Sequence, residues 1–193
     1  MFAKPIATTR SATGIATGKL AVWWLLASEI VIFGGLLGSY IMHRLGHPEF
    51  GMEGYAANTN AWFGITNTII LLLSSWFAVR AHYYAERGDG EMAFRWLWAT
   101  IGGAVAFLMV KSIEWTTEIS HGLVITKNAF WAFYYTAAGI HGCHVIGGAI
   151  VMAIVASDAR KGRELHRVEL AGLYWHFVDL IWIFLFPLLY IAK

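Results

Sequence analysis

Hydrophobic positions along this chain fall into long unbroken runs separated by short polar connections, with no short amphipathic stripes between them. Five runs stand out, at about 20–42, 61–79, 93–113, 129–157 and 170–192. Each is near the roughly 20 residues that an α-helix needs to cross the hydrocarbon core of a bilayer. A membrane barrel would instead alternate apolar and polar residues over short segments. The pattern therefore predicts an all-α integral membrane bundle of five transmembrane helices: residues 1–18 form a polar tail and residues 19–193 the membrane domain. The last run, "LAGLYWHFVDLIWIFLFPLLYIA", is the most unusual because it carries His176 and Asp179 within an apolar span.

The distribution of charge sets an expected orientation. Ten of the lysines and arginines (Lys4, Arg10, Lys19, Arg80, Arg87, Arg95, Arg160, Lys161, Arg163 and Arg167) lie on one side of the predicted spans; Arg44, Lys111, Lys127 and Lys193 lie on the other. By the positive-inside rule this puts the N-terminus in the cytoplasm and the C-terminus outside. The tail lacks the apolar core of a secretory signal and reads as a flexible extension ahead of an uncleaved first span. Trp23, Trp24, Trp62, Trp76, Trp96, Trp115 and Trp131 fall where interfacial anchors belong, and Lys111 and Glu114 are expected to reach headgroups there.

Composition narrows the function. The chain is 58% hydrophobic and only 13% charged, too apolar for a soluble domain of 193 residues. A formal charge of +2 gives no reason to expect nucleic acid as a partner. The lone Cys143, inside an apolar run, offers neither a disulfide nor a cysteine metal site and is expected to pack as a small residue. His43, His47, Glu49 and Glu53, scattered beside Pro48 and several glycines, read as solvated loop residues.

Candidate chemistry lies inside the spans. Glu29 and Asp179 each sit nine residues into a helix entered from the same side, so both carboxylates are expected at roughly 14 Å depth, in one polar layer. Burying such groups in a span costs several kcal/mol, about 2.5–3.5 on insertion scales, unless they are paired or protonated. His141 and His144, three apart in "GIHGCHVIGG", share a helical face, and His176 lies three residues before Asp179. Asn67 and Ser74 share a face of the second span. Hydrogen bonds from these histidines to the carboxylates are expected. A di-metal bundle site is the competing reading, but it normally carries more carboxylate ligands than Glu29 and Asp179 provide. Gly139, Gly142, Gly147 and Gly148, with Gly34 and Gly38 in the first span, suit close approach of another backbone. Pro187 removes one helical hydrogen bond near the end of the last span.

"YWHFVDLIWIFLF" at 174–186 and "GIHGCHVIGG" at 139–148 are the most specific elements. Together with "SE" at 28–29, "NT" at 67–68 and "EW" at 114–115, in that order, they resemble subunit III of the heme-copper oxidases, above all that of cytochrome c oxidases. The resemblance runs from about Trp24 to Tyr190. It implies a non-catalytic subunit of a proton-pumping oxidase in the inner membrane of a bacterium, with haem and copper on partner subunits and none on this chain. It also implies packing on subunit I, with subunit II in the same complex, bound phospholipid, support of proton uptake and protection of the active site during turnover. Glu29 matches the family's buried, carbodiimide-reactive glutamate; His141, His144, His176 and Asp179 match its interior polar residues. Many members have seven helices and hold lipid in a cleft behind the first two. This chain's first span resembles the third of that longer form, so the other wall of such a cleft must come from another subunit, or the cleft is absent.

Other readings stay open at this level. Related subunits serve quinol oxidases and nitric oxide reductases. Buried Glu, Asp and His also build proton-coupled transporters, although no inverted repeat is visible, and a haem or metal enzyme using the histidines is a third possibility.

Overall fold

A computed structural model describes residues 14–47 and 59–191. Five helices are present: α1 (Thr17–Gly46), α2 (Ala61–Glu86), α3 (Gly90–Ser120), α4 (Ala129–Arg160) and α5 (His166–Phe186), the last running on into a π turn, Pro187–Ile191. All five are long and apolar enough to cross a membrane. The helices overrun the apolar runs by up to seven residues, chiefly at the C-terminal ends of α2 and α3. Side-chain oxygens of Asn60, Asp89 and Asn128 accept the backbone N–H groups of Trp62, Met92 and Trp131, satisfying donors left open at the starts of α2, α3 and α4. Lys4, Arg10, Glu49, Glu53 and Lys193 lie outside the described residues, as does most of the tail.

Burial follows a seven-residue rhythm. In α2 the buried positions are Gly64, Asn67, Leu71, Ser74, Ala78, Ala81 and Ala85. In α4 they include Tyr134, His141, Val145, Gly148, Met152, Val155 and Ala159. Alternating steps of three and four keep one seam facing the neighbours, as in left-handed helix bundles. α2, α3, α4 and α5 close a four-helix ring in which each helix packs on two others, and α1 lies outside it against α5 and α4. Only one stripe of α1 is covered, Leu26, Glu29, Phe33 and Tyr40; Trp24, Ile30, Val31, Met42 and Leu45 face outwards.

Two glycines set close approaches. A Cβ at Gly90 would overlap the Ala159 carbonyl oxygen, so the start of α3 can meet the end of α4 only without a side chain. A Cβ at Gly148 would lie 2.9 Å from the fully buried Trp175 ring. The other expected contact glycines differ: nothing lies within 4 Å of the Cβ positions of Gly34, Gly38 and Gly142, so those faces are not closed within the described residues. Cys143 is exposed on α4 rather than packed inside. Trp131, expected at the interface, is fully buried, while Trp23, Trp24, Trp62 and Trp76 are exposed as anchors would be.

The helix does not stop at Pro187. It widens into the π turn, and two of the carbonyls there take side-chain donors from elsewhere. Tyr40 Oη donates to the Leu188 carbonyl at 3.0 Å and Thr59 Oγ1 to that of Leu189 at 3.4 Å, tying α1 and the start of α2 to the end of the chain.

Candidate functional site

The six interior polar residues singled out in the sequence fall into three separate places. Glu29, on the covered stripe of α1, meets His144 of α4: His144 Nε2 lies 2.8 Å from Glu29 Oε2, with both side chains mostly covered. The ring's other nitrogen, Nδ1, lies 2.8 Å from the Ile140 carbonyl oxygen. A carbonyl only accepts, so Nδ1 carries a hydrogen. Glu29 Oε2 is within ion-pair range of the imidazole but receives no hydrogen bond of acceptable geometry among the described residues. Phe33 stands edge-on to the imidazole, with ring centroids 5.3 Å apart, and shields it from one side.

Asp179 does not join that pair. It is buried, and neither carboxylate oxygen has a hydrogen-bond partner among the described residues. His176, expected to bond Asp179, turns to α2, where its Nδ1 lies 2.6 Å from Ser75 Oγ. The expected single layer is therefore split: Glu29 meets His144 of α4 from α1, while Asp179 is buried on α5 away from that pair.

The third place is the middle of the ring. His141 is fully buried, with both ring nitrogens unpartnered among the described residues; it stacks obliquely on Trp182 at 5.3 Å and edge-on to Phe107 at 5.4 Å. It shares a face with His144 only loosely. His141 continues the inward seam of α4, while His144, displaced round the helix, points at α1. Asn67 is fully buried, its amide unpartnered among the described residues. Ser74 accepts from Trp175 Nε1 at 3.1 Å, and Thr68 Oγ1 accepts from Trp182 Nε1 at 3.0 Å. Among the described residues no three His, Cys, Asp or Glu side chains converge as metal ligands.

One cluster was placed wrongly by sequence reasoning. Lys111 and Glu114 do not reach headgroups; they are 5% and 1% exposed and face the ring interior with Glu118, Tyr134 and Tyr190. Lys111 Nζ donates to Glu114 Oε2 at 2.9 Å, to Tyr134 Oη at 2.8 Å and to Tyr190 Oη. The signal was available: Ala93, Leu97, Thr100, Ala104, Phe107, Lys111, Glu114 and Glu118 advance by alternating steps of four and three, so the charges extend the apolar seam of α3.

A wide apolar groove of about 510 Å³ opens between α1, α4 and α5 near the starts of α1 and α5, lined by Val22, Leu25, Val151, Leu170 and Tyr174, with Arg167 also on its wall. The Arg167 guanidinium is engaged by Asp158 at 3.1 Å and Glu164 at 3.6 Å.

Comparison with known proteins agrees with these elements. The family model described as cytochrome c oxidase subunit III matches residues 7–193. Cytochrome c oxidase subunit 3 of Thermostichus vulcanus is 34% identical over 171 residues, covering 86% of this chain and 83% of the relative. A probable cytochrome c oxidase subunit 3 of Mycobacterium leprae is 30% identical over 176 residues, covering 89% and 85%. A heme-copper oxidase subunit I+III of Aeropyrum pernix is 28% identical over 184 residues, covering 90% of this chain and 22% of that longer polypeptide. With five apolar helices, an inward-facing set of Glu and His side chains and a family match over nearly the whole length, the chain belongs to the cytochrome c oxidase subunit III family.

Proposed function

We propose that this chain is the subunit III of a bacterial cytochrome c oxidase. In this reading it lies in the plasma membrane with its N-terminus in the cytoplasm and carries no redox centre. Its contribution is to hold an exchangeable proton at Glu29 and His144 beside the catalytic subunit and to keep that subunit durable in turnover. The observation that carries the reading is the Glu29–His144 contact of 2.8 Å. It joins a largely buried carboxyl group to an imidazole on another helix, on the most open helix of the fold. The uncovered face of α1, with Gly34 and Gly38 bare, suits close packing against another membrane helix, and subunit I is the natural occupant. The name of the Aeropyrum relative, which joins subunits I and III, supports that association. The groove beside Arg167 suits a phospholipid whose second wall is a neighbouring subunit.

The test is Glu29→Ala in the assembled complex. Haem and copper content are expected to stay at wild-type levels, while proton uptake slows or the enzyme loses activity sooner during continuous turnover. Loss of haem incorporation would mean that the supporting role is the wrong description, and purification of this chain with no oxidase subunit beside it would remove it from the oxidase altogether. The proteins that co-purify with it decide the donor: a partner with a copper domain points to cytochrome c, its absence to quinol.

A further inference from the structure

A line of polar side chains follows the seam between α2 and α5, from the end of the bundle that carries Arg87 and Arg160 inwards to Asp179. On α5 it is Glu169, His176 and Asp179, with Gly172 among them; on α2 it is Glu86, His82 and Ser75. Steps of three, four or seven residues keep each set on one helical face. At the mouth of the seam lies a cavity of about 280 Å³, lined by His82, Glu86, His166 and Glu169 with Ala85 and Leu165. At about 30 Å³ per molecule it has room for several waters. His82 Nε2 lies 3.4 Å from Glu86 Oε1 there, and Glu169 holds Lys19 of α1 at 2.6 Å.

Inside the mouth the seam is loosely filled. Gly172 is buried, yet nothing lies within 4 Å of the position its Cβ would take. The stretch between Glu169 and His176 therefore keeps space that no side chain occupies. His82, on the cavity wall, is near enough for its charge to act on the His176 ring. The next step is a direct contact, with His176 Nδ1 2.6 Å from Ser75 Oγ. The same hydroxyl lies beside the carboxyl group of Asp179, which is buried and receives no hydrogen bond of good geometry among the described residues. A hydroxyl both accepts and donates, so Ser75 can take a hydrogen from the ring and turn its own towards the carboxyl group. Beyond Asp179 the seam closes: Leu71 and Trp182 are fully buried, and Trp182 Nε1 is tied to Thr68 Oγ1.

We propose that this seam is a proton file closed at its inner end, through which Asp179 takes up and returns a proton from the bundle end that carries Arg87 and Arg160. Water brings the proton past Gly172 to His176 Nε2. The ring releases the hydrogen on Nδ1 to Ser75, and Ser75 releases its own to the Asp179 carboxylate. Ring and hydroxyl each gain one proton and lose one, so the net change is one neutral carboxyl group, and the return path restores the carboxylate. A proton suits this place because an ionised carboxylate is costly inside a span, and neutralising it needs no added room. The other titratable groups on the seam are His82, Glu86, His166 and Glu169, with Lys19 at the mouth; among the described residues no charged group of α1, α3 or α4 acts on Asp179 itself. The file uses neither Glu29 nor His144, so it stands or falls apart from the role given to that pair.

The experiment uses the membrane complex purified through this chain and held in nanodiscs. Starting from an alkaline buffer, a laser pulse releases acid from a caged-proton compound, and time-resolved infrared follows the rise of the protonated carboxyl stretch that Asp179→Asn removes. Ser75→Ala is expected to slow that rise by roughly a hundredfold, the lower end of what a positioned proton donor or acceptor contributes. Ser75→Thr, which restores a hydroxyl, is expected to keep the wild-type rate. Gly172→Leu fills the open space and leaves every polar group in place; it is expected to slow the rise as well, and it keeps the test valid if Ser75→Ala does not assemble. A purely structural role for these residues would change stability and leave the rate alone. A wild-type rate in Ser75→Ala or in Gly172→Leu overturns the proposal. So does a wild type in which the Asp179 band does not respond to the pulse, because the carboxyl group is then sealed from water.

Discussion

Replacing Lys111 by methionine isolates what the buried cluster contributes to the fold. Methionine keeps most of the unbranched stem and removes only the ammonium, so packing changes little while three hydrogen bonds disappear. Glu114 Oε2 then loses its donor, and Tyr134 and Tyr190 each lose an incoming one. Two carboxylates are left together with no cation, at 1% and 6% exposure. Removing one partner of a buried ion pair costs about 3–5 kcal/mol, because the surviving charge is stranded. The double variant Lys111→Met with Glu114→Gln is expected to recover at least half of that loss, since the amide oxygen still accepts from Tyr190 and one of the two charges is gone. Denaturant titration in mixed micelles, read by tryptophan fluorescence, gives both numbers; the Trp115 and Trp182 rings lie 5.8 and 5.6 Å from Lys111 Nζ and report on the cluster directly. A coupling of about 1.5 kcal/mol or more is expected in the double-mutant cycle. A single variant within about 0.5 kcal/mol of wild type, the range of ordinary surface substitutions, or strictly additive changes, would refute it and mean that Lys111 reaches water after all.

Two further outcomes follow from packing and hydrogen bonding. Gly90→Ala is expected to destabilise the bundle by roughly 1–3 kcal/mol, because the added methyl meets a backbone carbonyl of α4 that cannot rotate away; Gly102→Ala, with open space at its Cβ, should be neutral or slightly stabilising, and equal effects at both sites on unfolding would contradict the contact. Ser75→Ala is expected to cost about 1–3 kcal/mol by leaving the His176 ring nitrogen without its partner, and an unchanged unfolding midpoint would show that water or Asp179 takes the place of the hydroxyl.

The number and length of the spans were legible because twenty-residue apolar runs have few alternatives in a bilayer. The inward positions of Asn67, His141, Asp179 and Glu29 were legible too, since a polar side chain in such a run is driven towards protein. Their partners were not. Periodicity gives the angle of a residue about its own helix, whereas contact depends on which helix lies opposite. That is why Glu29 found His144 across the bundle, while the Asp179–His176 pairing three residues apart did not form. Lys111 and Glu114 were misread for a different reason. Their position near a helix end suggested the interface, and the four-three register that turned them inward was outweighed by their charge. The open glycines of α1 show the opposite error: small residues mark where a backbone can come close, but not whether that backbone belongs to the same chain.

The placement of α1 has a consequence for the order in which the protein is made. Its covered stripe rests on α5 and α4, the last helices to be synthesised, and Glu29 meets His144 only after about 115 more residues have been added. At roughly 5–20 residues per second, that leaves α1 waiting for about 6–23 s. During this time its carboxyl group faces lipid, water at the insertion site or a helper protein, at a cost of about 2.5–3.5 kcal/mol if it stands ionised in hydrocarbon. α1 thus enters the membrane well before the helices that cover it, and the interval in between is when it is most exposed to quality control.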